Sequence, residues 1–99
     1  MSVTLLTPKP GGQLFSGSIV NTNPANDSLR IISAADMAGT FGRQFDATKD
    51  VCMAMNADGS ANDAHVTGCT WIDGDGLYAV FDRTVSKDIR VNWMLFLAP

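Results

Sequence analysis

Glutamate is missing from this chain: all ten acidic side chains among its 99 residues are aspartate. Glu is a good helix former, whereas Asp competes for backbone hydrogen bonds and prefers caps and turns. With nine Gly and many Asn, Ser and Thr, this bias describes short strands joined by tight turns. Basic residues are scarce as well. The seven Lys and Arg are scattered, and the net charge is −3. No cluster could neutralise a phosphate backbone, which speaks against nucleic acid as a partner. No apolar run approaches the roughly 20 residues that span a bilayer, so no membrane segment is expected. Residues 1–9 lack a charged lead followed by an apolar core, and Met1 argues against a signal already removed.

Recognisable catalytic groups are equally thin. His65 is the single histidine, and it lies where a small-residue loop runs into a strand. A lone histidine in that position reads as an ordinary surface residue before it reads as a general base. There is no Gly-x-Ser-x-Gly elbow, phosphate loop or His-Glu-x-x-His helix. An acid–base carboxylate pair would have to be two Asp, and these sit mostly in turns where capping explains them. The expectation is a protein that is not an enzyme and has no cofactor. A small enzyme using His65 and an Asp is the least favoured reading.

What is present is a strand pattern. Residues 89–98 place Ile89, Val91, Trp93, Leu95 and Leu97 on one face of a strand, without a polar interruption. The other face starts polar at Arg90 and Asn92 and turns apolar at Met94, Phe96 and Ala98. The first face belongs in a core. The apolar end of the second needs a further cover, which no segment after Pro99 is expected to supply. Upstream, residues 68–72 and 77–81 flank Asp73-Gly74-Asp75-Gly76, a hairpin signal because glycine supplies the positive φ such turns need. With residues 89–98 they predict a C-terminal β-meander. Residues 50–55, 29–33, 14–20 and 3–6 read as further strands. Residues 33–38 predict one helical turn, after which Phe41 and Phe45 point inward. One domain over 1–99 follows: an all-β antiparallel sandwich or jelly roll of seven to eight short strands. Residues 1–12 form either an edge strand ended by Pro8 or an extended arm.

Cys52 and Cys69 have three accounts: buried free thiols, a disulfide between neighbouring strands, or half of an inter-subunit bridge. Two cysteines and one histidine argue against a zinc site. Asp73 and Asp75, or Asp58 and Asp63, could offer oxygens to calcium. A full loop also wants a later bidentate carboxylate, and turn chemistry is the better account. Trp71, Tyr78, Asp73 and Asp75 are candidate glycan contacts, because aromatics beside carboxylates stack on sugars and hydrogen-bond them. Core packing is the competing account of Trp71 and the favoured one for Trp93.

Residues 40–45 (Thr-Phe-Gly-Arg-Gln-Phe), 50–56 (Asp-Val-Cys-Met-Ala-Met-Asn), 76–81 and 89–94, with its Asn92-Trp93, resemble the H-type lectin module. That module is a small β-sandwich also met in phage tail fibres. The resemblance covers about the C-terminal sixty residues and implies a sandwich that assembles as a trimer. It carries over no sugar-binding position. By size and composition the chain also looks like the small accessory proteins of tailed-phage particles, such as capsid decoration or cement proteins and tail components. On that likeness the protein is a structural component of the virion, made in the host cytoplasm. Its partners would be its own copies and major capsid or tail proteins, with a cell-surface glycan as the alternative. Interface contacts are then expected at Met55, Met94 and Phe96, and at Leu5 and Leu6 of the N-terminal arm.

Overall fold

The computed structural model describes residues 4–7, 12–21, 26–58, 64–85 and 88–99, and the side chains of 4–7, 21 and 58 lie outside that description. Seven strands and one helix follow in the order β1 (Thr4–Thr7), β2 (Gln13–Asn21), β3 (Ser28–Ser33), α1 (Ala34–Phe41), β4 (Val51–Asp58), β5 (Val66–Ile72), β6 (Gly76–Phe81) and β7 (Ile89–Leu97). They form a four-stranded sheet, β1-β2-β7-β4, and a three-stranded sheet, β3-β6-β5. Every pairing is antiparallel. The all-β sandwich is therefore as expected, at seven strands among the described residues.

The core lies between the sheets. Ile89, Val91, Trp93, Leu95 and Leu97 of β7 are all buried, and they meet Ile31, Ile32, Leu77, Ala79 and Phe81 of the smaller sheet. Strand β7 occupies the centre of its sheet, paired along its length with β2 on one side and β4 on the other. A half-buried central strand must alternate strictly, and this one does.

The last three strands do not run as one meander. β5 and β6 form the expected hairpin, with Gly74 at φ 78° in its turn and the Asp75 amide donating to the Ile72 carbonyl at 3.0 Å. β7 then joins the other sheet. The connection after Phe81 is longer than a hairpin loop requires, and within it Val85 is completely buried. Its amide donates to the Asn26 carbonyl at 2.8 Å, which anchors the crossing to the β2–β3 connection. Burying Val85 carries the chain over the end of the core and into the opposite layer.

The expected single helical turn is longer than that. The Ser33 hydroxyl caps α1 by accepting from the Asp36 amide at 3.0 Å. Gly42, left-handed at φ 77°, ends it with its amide donating to the Ala38 carbonyl. Phe41 packs on Phe15 with ring centroids 4.6 Å apart, and Phe45 on Trp71 at 5.7 Å, so both point inward as expected. Of the N-terminal segment, Thr4–Thr7 is an edge strand paired with β2 of its own chain.

Candidate interaction surface

The outer face of the four-stranded sheet carries the sequence-nominated interface residues. Along β4 the side chains alternate, with Cys52 and Ala54 packed against the core and Val51, Met53 and Met55 facing out. Register aligns them with β7: Val51 lies opposite Phe96, Met53 opposite Met94, and Met55 opposite Asn92. Cross-strand neighbours on one face lie about 5 Å apart at Cβ, so these side chains form one patch. Val51 is 51% exposed, Met53 and Met55 64% each, and Met94 40%. These values mark large apolar side chains standing in solvent beside one another. Across β7 the patch continues over Ser16 and Ser18 of β2. Met53, Met55, Met94, Asn92, Ser16 and Ser18 border a shallow groove of about 460 Å³.

Met55, Met94 and Phe96 are thus brought to one face. Phe96 differs from the other two. It is only partly exposed, and Gly12 approaches its ring so closely that a Cβ there would lie 2.7 Å from a ring carbon. Gly12, just before β2, supplies part of the cover that the sequence assigned to a neighbour. Leu5 and Leu6 sit on β1 at the edge of this sheet, with their side chains outside the described residues. Val51 and Met53 were not singled out in the sequence. Their alternation was legible, but residues 51–55 are apolar on both faces, so nothing local said which face was inward.

A clamp that no motif announced fixes this face. Asp50, whose side chain has no exposed surface, accepts two hydrogen bonds from the Arg43 guanidinium at 2.6 and 2.8 Å. It also accepts from the amides of Asp46 at 2.8 Å and Ala98 at 2.9 Å. Arg43 donates in turn to the Ala98 carbonyl at 3.1 Å. Burial pushes the Asp50 carboxyl up, but Arg43 and the two amides outweigh it and hold the group below the usual carboxylate range. The entry to β4 is thereby tied to the exit of β7, which sets the two strands that carry the patch.

The nominated glycan contacts are not assembled. In the β5–β6 register Trp71 pairs with Leu77, and Tyr78 with Thr70. Adjacent positions on a strand point to opposite faces. Buried Leu77 identifies the inward face, so Trp71 lies on the core side of the sheet and Tyr78 on its outer side. Trp71 packs on Phe45 and donates its Nε1–H to Asp73 Oδ1 at 2.7 Å. Tyr78 donates its hydroxyl to Asp75 Oδ2 at 2.9 Å, a bond that raises the phenol above its ordinary range. Asp75 also faces Arg30 at 3.2 Å. Trp71 and Tyr78 therefore lie on opposite faces of the sheet, each bonded to one Asp of the turn that joins their strands.

His65 is exposed, its Nδ1 3.9 Å from Asp82 Oδ2. The Asp82 carboxylate is occupied at Oδ1 by the His65 backbone amide at 2.9 Å, which holds Asp82 below its ordinary range. Cys52 and Cys69 are free thiols, each partly buried. Among the described residues no three His, Cys, Asp or Glu gather as metal ligands, and no helix is long and apolar enough to cross a membrane. The side chain of Asp58 and all of Asp63 lie outside the described residues. No family model, curated protein or solved structure matches the chain.

Proposed function

We propose that this protein is a non-enzymatic structural subunit that self-associates through the outer face of β4 and β7. In the fullest form of the reading it is a small homotrimer that decorates or cements a phage capsid, or serves as a tail accessory. One observation carries it: the contiguous exposed strip of Val51, Met53, Met55 and Met94 on a rigid sheet face. Isolated exposed apolar residues are ordinary, but a contiguous patch of unbranched, adaptable methionines is a surface suited to burial. The size of the sheet fits a second copy. The sheet's strands carry four, nine, nine and eight residues, and at a rise of about 3.3 Å and a spacing of about 4.8 Å they present a face of about 475 Å². Two such faces would bury ~1,000 Å² in total, the low end for a specific interface.

The H-type-lectin resemblance supports the trimeric expectation, and the likeness in size and composition to phage accessory proteins supports the virion location. A carbohydrate-binding role is the weaker alternative, because its two aromatic residues, Trp71 and Tyr78, lie on opposite faces of one sheet. The test is sedimentation equilibrium of the purified protein beside a Met53→Asp/Met94→Asp variant. An oligomer for the parent and a folded monomer for the variant are expected. A parent that stays monomeric at micromolar concentration overturns the reading. Detection of the protein in purified phage particles by mass spectrometry tests the location separately.

A further inference from the structure

The sandwich has an open side where β4, the edge of the larger sheet, approaches β5, the edge of the smaller one. There Cα atoms of the two strands come within 8 Å of each other. The approach is held by Asn56 of β4. Its side chain donates to the Ala64 carbonyl at 2.8 Å and accepts from the Val66 amide at 2.9 Å, which pins the start of β5. Cys52 lies on the inward face of β4, opposite fully buried Leu95. Cys69 lies on the inward face of β5, opposite fully buried Ala79. Both line one groove of about 390 Å³ with Phe45, Thr70, Trp71 and Leu77, and neither is fully covered.

We propose that Cys52 and Cys69 are a modification site, a reversible disulfide that joins the two sheets across this open edge by exchange with a small-molecule disulfide of the glutathione class. Both side chains face the same groove where Cα atoms of β4 and β5 come within 8 Å, which brings the two sulfurs to one gap. Their roles differ. The interaction with Cys69 and burial raise the Cys52 thiol, while the same interaction lowers that of Cys69. Cys69 is therefore the attacking thiolate. It bonds to one sulfur of RSSR and expels RS⁻, which takes a proton from solvent. Cys52 then loses its proton to solvent, bonds to the Cys69 sulfur and expels the second RS⁻. RSSR is reduced by two electrons to two RSH, and the protein dithiol is oxidised to the disulfide.

A cross-link between the two sheets restricts the unfolded chain and raises stability. The test is incubation of the full chain with oxidised glutathione, followed by intact-mass and peptide analysis. The expected product is a monomer lighter by two hydrogens, with Cys52 and Cys69 in one linked peptide pair. Its Tm should rise by at least about 5 °C and return when dithiothreitol is added. The Cys52→Ala variant should stop at a glutathione adduct on Cys69. A stable adduct on the parent protein, disulfide-linked dimers in place of the monomeric product, or unmodified thiols would each overturn the proposal. The parent readouts do not depend on whether the variant folds.

Discussion

Replacing Asp50 by Asn removes one charge and little volume from the clamp that joins the start of β4 to the end of β7. The carboxylate accepts four hydrogen bonds, two from Arg43 and one each from the amides of Asp46 and Ala98. An amide has one acceptor oxygen, and its NH2 group would face donors. At least two of those donors lose their partner, and the Arg43 guanidinium is left beside a neutral group. Breaking one side of a buried ion pair costs about 3–5 kcal/mol, against a total stability of about 5–15 kcal/mol for a domain of this size. With a urea m-value of about 1.5 kcal/mol/M, the midpoint should fall by about 2–3 M while m stays unchanged. The pH dependence has a definite sign. Because the folded-state pKa of Asp50 is depressed, its contribution is fully present above the ordinary carboxylate value of 3.8 and is lost as pH falls through the lower folded value. Parent and variant should therefore converge in strongly acidic solution. A midpoint shift under about 0.5 M, or a gap between the two that persists at low pH, would refute the account of the clamp.

Two further outcomes follow from the same structure. Gly76→Ala should cost about 1–3 kcal/mol by thermal or urea unfolding, because its Cβ would press directly on the Ile32 carbonyl oxygen and lie 3.1 Å from Ser33 Cα; an unchanged Tm would mean that β3 can yield there. Trp71→Ala should destabilise the fold by about 3 kcal/mol through lost packing on Phe45, with its fluorescence change tracking unfolding and not added sugar. A loss of glycan binding in a variant of unchanged stability would revive the carbohydrate reading.

Some of the candidate surface is legible in the sequence. Met94 and Phe96 were legible because β7 is apolar on both faces at its end, a pattern that one core cannot absorb, and Met55 was named beside them from the strand over residues 50–55. Val51 and Met53 escaped because β4 is apolar throughout, and burial is a property of what lies opposite. The Arg43–Asp50 clamp escaped for another reason. The pair is seven positions apart, and its third partner, Ala98, is 55 positions from Arg43, so no local pattern marks it.

The period-two alternation of residues 89–97 and the turn chemistry of Asp73, Gly74 and Asp75 were determined locally, because side-chain direction in a strand and positive φ at glycine depend on nothing distant. The absence of Glu likewise foretold a strand-rich chain. Only the tertiary structure decided where β7 pairs. Burial of Val85 carries it across the core to lie between β2 and β4, where its Met94 meets Met53. The same non-local pairing put Trp71 and Tyr78 on opposite faces of a sheet. It also set Cys52 against Cys69 across two edges, because which strands become neighbours is settled by the burial of the whole chain.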